Sequence, residues 1–544
     1  MGGDPVVWPQ IPRTDAPHTA VTASLSTLAY RDAKVTDLTG IHEATNHKDG
    51  HFVLFTANLG EAFCRAVMKR TLGAERKPLV PSIGTDPRLV VEHCVAAEAL
   101  RHERDKRLTV VALLTGVLFL PGFLLWLLAF EVRRRSSPER RSLYGGAVMT
   151  VVVLLAVLFA WRPFAHGYAG LYVRVMMLVP VLGWFIAFRF CLRTAEQLRE
   201  RWNAVLDGSG VGPIVRDAVP IGPGDARAEE LRKGLEALAD EQDTNVAHYA
   251  GPKGILEMGV RWGSWTLAEN LDPREGVTEI RAFHPWDVVR KIEDRLKLMT
   301  RTTMADNGIP QMKVGHWVVE SIPPGADEIG RAYGADRMDG HRMRPAAIAD
   351  LANDNTLGQN LRHYLGAQTV LWNGKLVVSL LIKATLLDHI LRVEMTGYAM
   401  GPMAPMFDKK AKPEEKQVAK TGKFWEERTV HQPIMTSDEV VRLALRAPFT
   451  WPFGQSMLDW LGGTLKLPEP FGLRSAWANT PWSNRFMADD ALQLALPVLR
   501  AVHQATIQFL ADHDVDVDRF KFRAQILGAE VQGGRPSRVD EYDV

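Results

Sequence analysis

The sequence has few cysteines and no excess of charge of either sign. Its 544 residues include only three cysteines, Cys64, Cys94 and Cys191. So few cysteines do not form a disulfide framework, and they are typical of a protein kept in a reducing compartment. The 65 basic and 63 acidic residues leave a formal net charge of +2. A nearly balanced chain has no general attraction for a polyanion, so we predict no nucleic-acid partner.

Short motifs that carry a known mechanism are also missing. No segment has the spacing of a Walker loop, of the dinucleotide-binding glycine turn or of the serine nucleophile elbow. This argues against the commonest cofactor-dependent enzymes, and no cofactor is predicted. The sequence does not decide whether the protein is an enzyme at all.

The N-terminal histidines do not have the spacing of a zinc protease. Such a site needs two histidines four residues apart on one helical face, with a glutamate beside the first. Here His42 and His47 are five residues apart, and Asp49 and Gly50 interrupt any helix. A loop metal site formed by His42, His47 and His51 is a weak candidate. We predict instead that these are polar surface residues and that there is no metal site.

Long apolar runs are abundant between residues 108 and 193. The runs are Leu108–Val132, Leu143–Trp161 and Tyr168–Phe188. A helix of about 20 apolar residues crosses the roughly 30 Å hydrocarbon core of a bilayer. We therefore predict an α-helical membrane module of two or three apolar segments. Arg174 lies within the third run and is costly in lipid unless it is paired, so it is the predicted polar site of this module.

The basic residues beside these runs indicate how the chain crosses the membrane. Short cytoplasmic loops are enriched in Lys and Arg. Most of the flanking Lys and Arg residues fall on one side if residues 108–132 form a re-entrant hairpin that turns at Pro121 and Gly122. A kinked full span over 108–132 is the alternative. Residues 143–161 and 168–188 are predicted to span, which gives a multi-pass plasma membrane protein with both soluble parts in the cytoplasm.

The polar segments on either side of the apolar runs define the domain organisation. The predicted parts are a disordered tail (1–20), a small α-rich N-terminal domain (21–107), the membrane module (108–193), a stalk helix with a linker (194–226) and a cytoplasmic α+β domain (227–544). The predicted fold class is therefore a multi-domain membrane protein, with the helical module between a small α-rich domain and a large α+β domain.

The clearest β structure is predicted for residues 369–400. Asn373 and Gly374 form a strong hairpin signal between two apolar runs, and Asp388 with His389 is a second predicted turn. Three antiparallel strands follow from these turns, and 313–322 extends the sheet. Residues 284–299 have apolar side chains at helical spacing and are predicted to form an amphipathic helix.

Tryptophan is concentrated in a proline-rich segment, 448–482. Trp451, Trp460, Trp477 and Trp482 lie among prolines and glycines, so no regular period directs them all to one core. Tryptophan concentrates binding energy at interfaces, and we predict that these residues form an interaction surface. The alternative is an irregular lid whose rings complete the core.

These observations favour a membrane-anchored docking or scaffold protein. Its large cytoplasmic domain would hold a partner protein or an assembly, such as a secretion or injection machine, at the inner face of the plasma membrane. The alternative is a membrane-associated enzyme that acts on lipid or cell-envelope precursors, and a third interpretation is a component of an oligomeric transporter or channel. The predicted partners are the lipid bilayer and a protein, with a homo-oligomer as a further alternative.

Overall fold

The computed structural model describes most of the chain, with gaps. The described ranges are 19–32, 46–49, 52–73, 76–118, 167–176, 179–208, 226–301, 312–323, 336–354, 357–411, 415–420, 423–431, 434–450, 455–478 and 482–533, with a few single positions between them.

Helices in these ranges lie at both ends of the chain and around a central sheet. They are α1 (Ala20–Thr27), α2 (Leu59–Thr71), α3 (Pro87–Leu118), α4 (Tyr168–Met176), α5 (Val179–Leu206), α6 (Ala226–Gln242), α7 (Pro285–Arg301), α8 (Pro345–Asn353), α9 (Ser437–Thr450), α10 (Gln455–Gly462), α11 (Arg485–Asp512) and α12 (Asp518–Gly533).

The strands form one large mixed sheet and three small antiparallel pairs within the described ranges. They are β1 (Asn46–Asp49), β2 (Val246–Tyr249), β3 (Val260–Asn270), β4 (Lys313–Ser321), β5 (Met338–Asp339), β6 (Arg342–Met343), β7 (Leu361–Leu371), β8 (Leu376–Leu387), β9 (Ile390–Met400), β10 (Glu415–Lys420), β11 (Lys423–His431) and β12 (Gly463–Lys466). The large sheet has six strands in the order β2-β4-β7-β8-β9-β3. Its strands are antiparallel except for the parallel pair β2 and β4.

Two tight turns connect the three central strands. Asn373 and Gly374 have φ angles of 52° and 90°, and Asp388 and His389 have φ angles of 43° and 62°. These left-handed conformations match the twist of the flanking strands, as hairpin turns require. A Cβ on Gly374 would lie 2.5 Å from the Cβ of Thr19, so glycine also lets the start of α1 approach this turn. Both predicted turns are confirmed.

One face of the large sheet is covered by helices. α7 is amphipathic, as predicted, and buries Val288, Ile292 and Leu296 completely against the sheet and α11. The sheet contributes alternate residues of β8, such as Leu380 and Ile382, which are also completely buried. This layer is therefore held together by apolar contacts.

The N-terminal helices pack against segments from much later in the chain. α9 packs on α3, and β1 pairs with β12 in an antiparallel ladder. The predicted C-terminal range 227–544 thus contributes α9 and β12 to the layer formed by the N-terminal helices.

Charged side chains fill the contact between α2, α3 and α9, which we call the helical junction. The junction contains Glu61, Arg65, Arg104, Asp105 and Arg446, each at most 7% exposed. Arg446 Nη2 lies 2.7 Å from Glu61 Oε2, and Arg104 Nη2 lies 2.7 Å from Asp105 Oδ1. Burial favours the neutral form of Glu61, but the charges of Arg446 and Arg65 outweigh it and hold the pKa of Glu61 well below its usual range.

The structure does not support the predicted membrane module. Within the described residues, none of the helices combines the length and the apolar character that a bilayer crossing requires. The observed fold is mixed α/β around a six-stranded sheet. The fold class with a membrane module at 108–193, and with it the multi-pass plasma membrane protein, is therefore wrong for the part of the chain that the structure describes.

The described parts of the first and third apolar runs belong to helices that also carry charged residues. Within the described residues, 108–118 of the first run belong to α3, and the preceding part of that helix carries the buried charges of the helical junction. The described residues of the third run lie in α4 and α5, and the second half of α5 carries charged residues. The turn predicted at Pro121 and Gly122, and most of the second run, 143–161, lie outside the described residues.

Candidate functional site

The second face of the large sheet has a covered end and an open end. Alternate residues of each strand point away from α7 and α11 towards this face. At the covered end, the N-terminal segment at Gly84 lies over Val370 and Val377. The completely buried Arg474 donates hydrogen bonds there to the carbonyl oxygens of Ile83 and Gly401, at 3.3 and 3.0 Å. The open end begins beyond these contacts.

The centre of the open end is built from aromatic rings on an apolar base. The base is a buried cluster that includes Val319 and Leu381, and Trp317, Tyr364 and Tyr398 pack against it as partly buried rings. The ring of Trp317 lies across Gly366, where a Cβ would be 2.6 Å from Trp317 Cδ1. The absence of a side chain at position 366 therefore makes room for the tryptophan.

Basic side chains surround these rings. Lys383 Nζ lies 6.0 Å from the centroid of the Tyr364 ring, within the range of a cation–π contact. Arg261 is paired with Tyr398 across β3 and β9, and Arg261, Arg362 and Arg392 are all exposed. We call this surface the open face. Its members are Tyr249, Arg261, Trp317, Arg362, Tyr364, Lys383, Arg392, Glu394 and Tyr398.

A single carboxylate lies within the open face. Glu394 accepts hydrogen bonds from Arg392 at 2.9 Å, from Ser264 at 3.2 Å and from Thr396 at 3.3 Å. It is also the direct cross-strand partner of Lys383. The open face as defined therefore has four cationic side chains and one carboxylate.

The surroundings shift the pKa values of three of these groups. Burial raises the pKa of Tyr364 and of Tyr398, so both hydroxyls stay protonated at neutral pH and can donate hydrogen bonds. Burial, followed by the positive charge of Arg362, lowers the pKa of Lys383. A ligand with negative charge would relieve the mutual repulsion of Lys383, Arg362 and Arg392, because an opposite charge stabilises each cation.

The open face is suited to bind carboxylates beside an apolar side chain. An arginine guanidinium can hold a carboxylate through two parallel hydrogen bonds. The phenolic hydroxyls of Tyr364 and Tyr398 add neutral donors, and Trp317 offers a large ring surface. The open face as defined contains no cysteine, histidine or serine.

A second titratable cluster lies on the helix-covered face, where α7 meets β4 and β7. Glu293 Oε2 lies 3.2 Å from His316 Nε2, and His316 Nδ1 lies 3.0 Å from His363 Nε2. Trp286 packs on both imidazoles, with ring centroids 4.8 Å from His316 and 5.7 Å from His363. The order carboxylate–imidazole–imidazole resembles the orienting part of a proton relay.

This cluster joins α7 to β4 and β7 through side chains that are largely buried. The hydrogen bond with His316 lowers the pKa of Glu293 to about 2, and burial lowers the pKa of His363 to about 3. Glu293 is therefore ionised and His363 neutral at pH 7. His363, at the end of the chain of contacts, is only 5% exposed. The cluster ties α7 to the sheet.

The remaining predicted site residues do not come together at one site. Trp477 is completely buried beside Phe63, Trp482 is 8% exposed and packs on Trp262, and Trp460 is 62% exposed on α10. Trp451 lies outside the described residues. The predicted interaction surface thus has one exposed described member, Trp460, while Trp477 and Trp482 contribute to cores, as the lid alternative expects.

Arg174 and the three histidines also lie apart from the open face. Arg174 is an exposed residue of α4. His47 is part of β1, whereas His42 and His51 lie outside the described residues. Across the described part of the chain, no group of three His, Cys, Asp or Glu side chains is placed to hold a metal ion.

Sequence reasoning missed the open face, although its signal was present. In β9, Arg392, Glu394, Thr396 and Tyr398 follow one another at every second position, and β7 has Arg362 and Tyr364 in the same relation. Polar residues at a period of two mark one face of a strand. The strand order was needed to bring these rows side by side.

The fold and the open face together define a mixed α/β protein whose sheet has helices on one face and a cationic, aromatic surface on the other. The chain matches the AbeC-like domain over residues 264–537, half of its 544 residues, and so belongs to the AbeC-like domain family. This range begins within β3 and ends just beyond α12, so it contains most of the open face. No curated protein and no solved structure shows significant similarity to the chain.

Proposed function

We propose that this protein is a docking protein that binds an acidic segment of a partner protein on the open face of its large sheet. The observation that carries the proposal is the position of four cationic side chains and three half-buried aromatic rings on one face of the sheet, opposite the helix layer. Such a face complements a segment that has both carboxylates and an apolar side chain.

Charge complementarity supports an acidic partner. Arg261, Arg362 and Arg392 are exposed and carry planar guanidinium groups, which pair with carboxylates in a fixed geometry. Rim charges of this kind steer a partner of opposite sign and select against one of like sign. The half-buried rings of Trp317, Tyr364 and Tyr398 then offer the apolar surface that a partner would bury.

Protein fits this face better than single-stranded nucleic acid does. Bases stack on aromatic rings that present an open surface, while Tyr364 and Tyr398 are packed against the apolar cluster. The balanced charge of the whole chain agrees with this preference.

The proposal is tested with the full chain and a labelled synthetic peptide of alternating glutamate and aromatic residues. We expect saturable binding by fluorescence anisotropy that weakens as salt is added. The double variant Arg362→Glu, Lys383→Glu should weaken binding by at least about tenfold, because a hydrogen bond to a charged group contributes about 1.5–3 kcal/mol.

Two controls make the result specific. Arg290→Glu changes an exposed arginine of α7 on the opposite side of the sheet and should bind like the unchanged protein. A peptide with glutamine in place of glutamate should bind much more weakly. Equal binding by the unchanged protein and the double variant would overturn the proposal. So would tighter binding of an oligodeoxythymidine that the same double variant abolishes, because the face would then be a nucleic-acid site.

A further inference from the structure

The two edges of the large sheet differ in how they are covered. Next to β2 the chain folds back on itself, because Leu256 N donates to the carbonyl oxygen of His248 at 2.9 Å and Ile255 forms an antiparallel bridge with Tyr249. β3 forms the opposite edge, and in the described part of the chain β9 is the one strand that pairs with it. Half of the main-chain donors and acceptors of such a strand point away from the sheet. β3 can therefore pair with a further strand.

The outer edge of β3 is regular between Ser264 and Asn270. The register with β9 shifts between Arg261 and Gly263, which is a β-bulge, and from Ser264 onwards each residue has a single partner in β9. This stretch contains neither lysine nor proline, and Glu269 is its one charged residue. Lysine and proline are residue types that commonly protect edge strands from pairing. The sequence of this edge therefore permits pairing with another chain.

α12, which packs on β3, has apolar residues on two opposite sides. On one side Phe520 and Leu527 are buried in the same apolar cluster as Trp265 of β3. Phe522 and Ile526 follow the helical spacing of the other side, and Phe522 is 67% exposed. A surface helix normally has polar residues on the side away from the core. The second apolar side therefore indicates a contact beyond the core of a single chain.

We propose that two copies of this chain associate through β3, with the two strands antiparallel about a two-fold axis at Thr266. The two six-stranded sheets then form one continuous sheet. In this register Ser264 of one copy lies opposite Ala268 of the other. On the helix-covered side, Trp265 of one copy lies opposite Leu267 of the other, so two apolar side chains meet there.

Self-complementarity favours a second copy as the partner of this edge. Each outward main-chain donor meets an acceptor of the same strand in the other copy, as a two-fold axis requires. Glu269 of each copy falls opposite Gly263 at the bulge, so the acidic side chains of the two copies do not meet. The axis also brings the two α12 helices to the seam between the copies, where the exposed ring of Phe522 becomes covered.

This arrangement places the two open faces side by side. The two-fold axis is perpendicular to the sheet, so the open faces of both copies point to the same side of the joined sheet. A partner with two acidic segments would contact both faces, and its second contact would be intramolecular and would raise the overall affinity. Association through β3 itself does not depend on the identity of that partner.

Sedimentation equilibrium of the full chain over a dilution series tests the association. We expect a mass of two chains, each of 60.6 kDa, that falls towards one chain as the protein is diluted. The main-chain amides of Ser264–Asn270 should exchange hydrogen more slowly in the dimer than in the diluted chain, because the outward ones gain an acceptor.

A charge at the axis gives a sharper test. Thr266 is the cross-strand partner of Glu394 within its own sheet, so Thr266→Lys should fold normally. Two such lysines would lie directly opposite each other and should raise the dimer dissociation constant about fivefold or more. Thr266→Glu should weaken the dimer in the same way, and an equimolar mixture of the two variants should associate more tightly than either alone. Thr385→Lys adds the same charge to the same face of the interior strand β8 and should dimerise like the unchanged protein.

The exposed side of α12 is tested with a matched pair of phenylalanines. Phe522→Glu should weaken the dimer, because a charge would be buried at the seam. Phe486→Glu changes a ring on α11 that is 68% exposed and should leave the dimer unchanged. Circular dichroism should show the same helix content in both variants, since neither ring is part of a core.

Three results would overturn the proposal. One is the mass of a single chain at every concentration. Another is a dimer that Thr266→Lys and Phe522→Glu leave as stable as before, because the copies would then meet at another surface. The third is a mixture of the Thr266→Lys and Thr266→Glu variants that associates no better than either variant alone, because the axis would then not lie at this residue.

Discussion

The helical junction and the helix-covered face of the sheet are both buried, but different forces hold them. At the junction, Glu61 and Arg446 form an ion pair that is almost fully shielded from water. In the sheet layer, residues such as Ile292 and Leu380 make only apolar contacts. An apolar core loses stability in proportion to the atoms removed, whereas a buried ion pair loses most when one partner is left without the other. The two regions should therefore respond differently to the same kind of substitution.

The largest effect is expected at the junction. Arg446→Met leaves Glu61 buried beside the more distant Arg65, whose Nη2 is 3.6 Å away. We expect a loss of about 3–5 kcal/mol of unfolding free energy, measured by chemical denaturation. Arg500→Met, on an exposed position of α11, is the matched control and should change stability by less than about 0.5 kcal/mol.

A second substitution sharpens this result. Adding Glu61→Met to Arg446→Met removes the unpaired carboxylate, so the double variant should recover much of the lost stability. A double variant less stable than the unchanged protein by the full sum of the two single losses would show that the ion pair is not the source of the effect.

A somewhat smaller effect is expected in the sheet layer. Leu380 is completely buried on β8, and Leu380→Ala should cost about 2–5 kcal/mol through lost burial and the cavity left behind. Leu387→Ala, at a position that is 50% exposed on the same strand, is the control and should cost much less. If the two substitutions cost the same, the helices do not cover this face as described.

Acid should weaken the sheet layer through its buried histidines. Burial lowers the pKa of His363 to about 3 and that of His503 to about 4, below the usual value near 6.5. Between pH 6.5 and the lowered pKa values, these histidines bind protons in the unfolded chain but not in the folded protein. The folded state therefore has its full stability above pH 6.5 and loses stability as the pH drops towards 4. His503→Gln should make this fall shallower in melting curves recorded between pH 7 and pH 4. If the melting temperature of His503→Gln falls with pH as steeply as that of the unchanged protein, His503 is not a source of the acid sensitivity.

The smallest effect on stability is expected at the open face. Tyr398→Phe keeps the ring on its apolar base and removes only the hydroxyl, so the melting temperature should change little. If that hydroxyl contacts the acidic partner, binding of the glutamate-containing peptide should weaken a few-fold, since a neutral hydrogen bond contributes about 0.5–1.5 kcal/mol. Unchanged binding would place the hydroxyl outside the contact.

The parts of the fold that depend on residues close together in the chain could be predicted from the sequence. Turn chemistry at Asn373 and Gly374 located the central hairpin, and apolar spacing located α7. The helical junction could not be found this way, because Glu61 and Arg446 are 385 residues apart in the chain. The open face needed the strand order for the same reason, although the alternation within β7 and β9 marks its rows.

The membrane prediction failed for a different physical reason. Counting apolar residues in a run assumes an apolar neighbourhood along its whole length. The first run begins inside α3, whose preceding turns bury the charges of Arg104 and Asp105 against Thr450 and α9. The charged contact cannot be read from apolar content alone.

The separation of Glu61 from Arg446 has a consequence for synthesis on the ribosome. At roughly 5–20 residues per second, the 385 residues between them take about 20–80 s to emerge. During that interval the N-terminal helices exist without α9, and the carboxylate of Glu61 lacks the cation that makes its burial favourable. The N-terminal layer therefore reaches its final form only after the chain has passed Thr450, so the order of folding does not follow the order of translation.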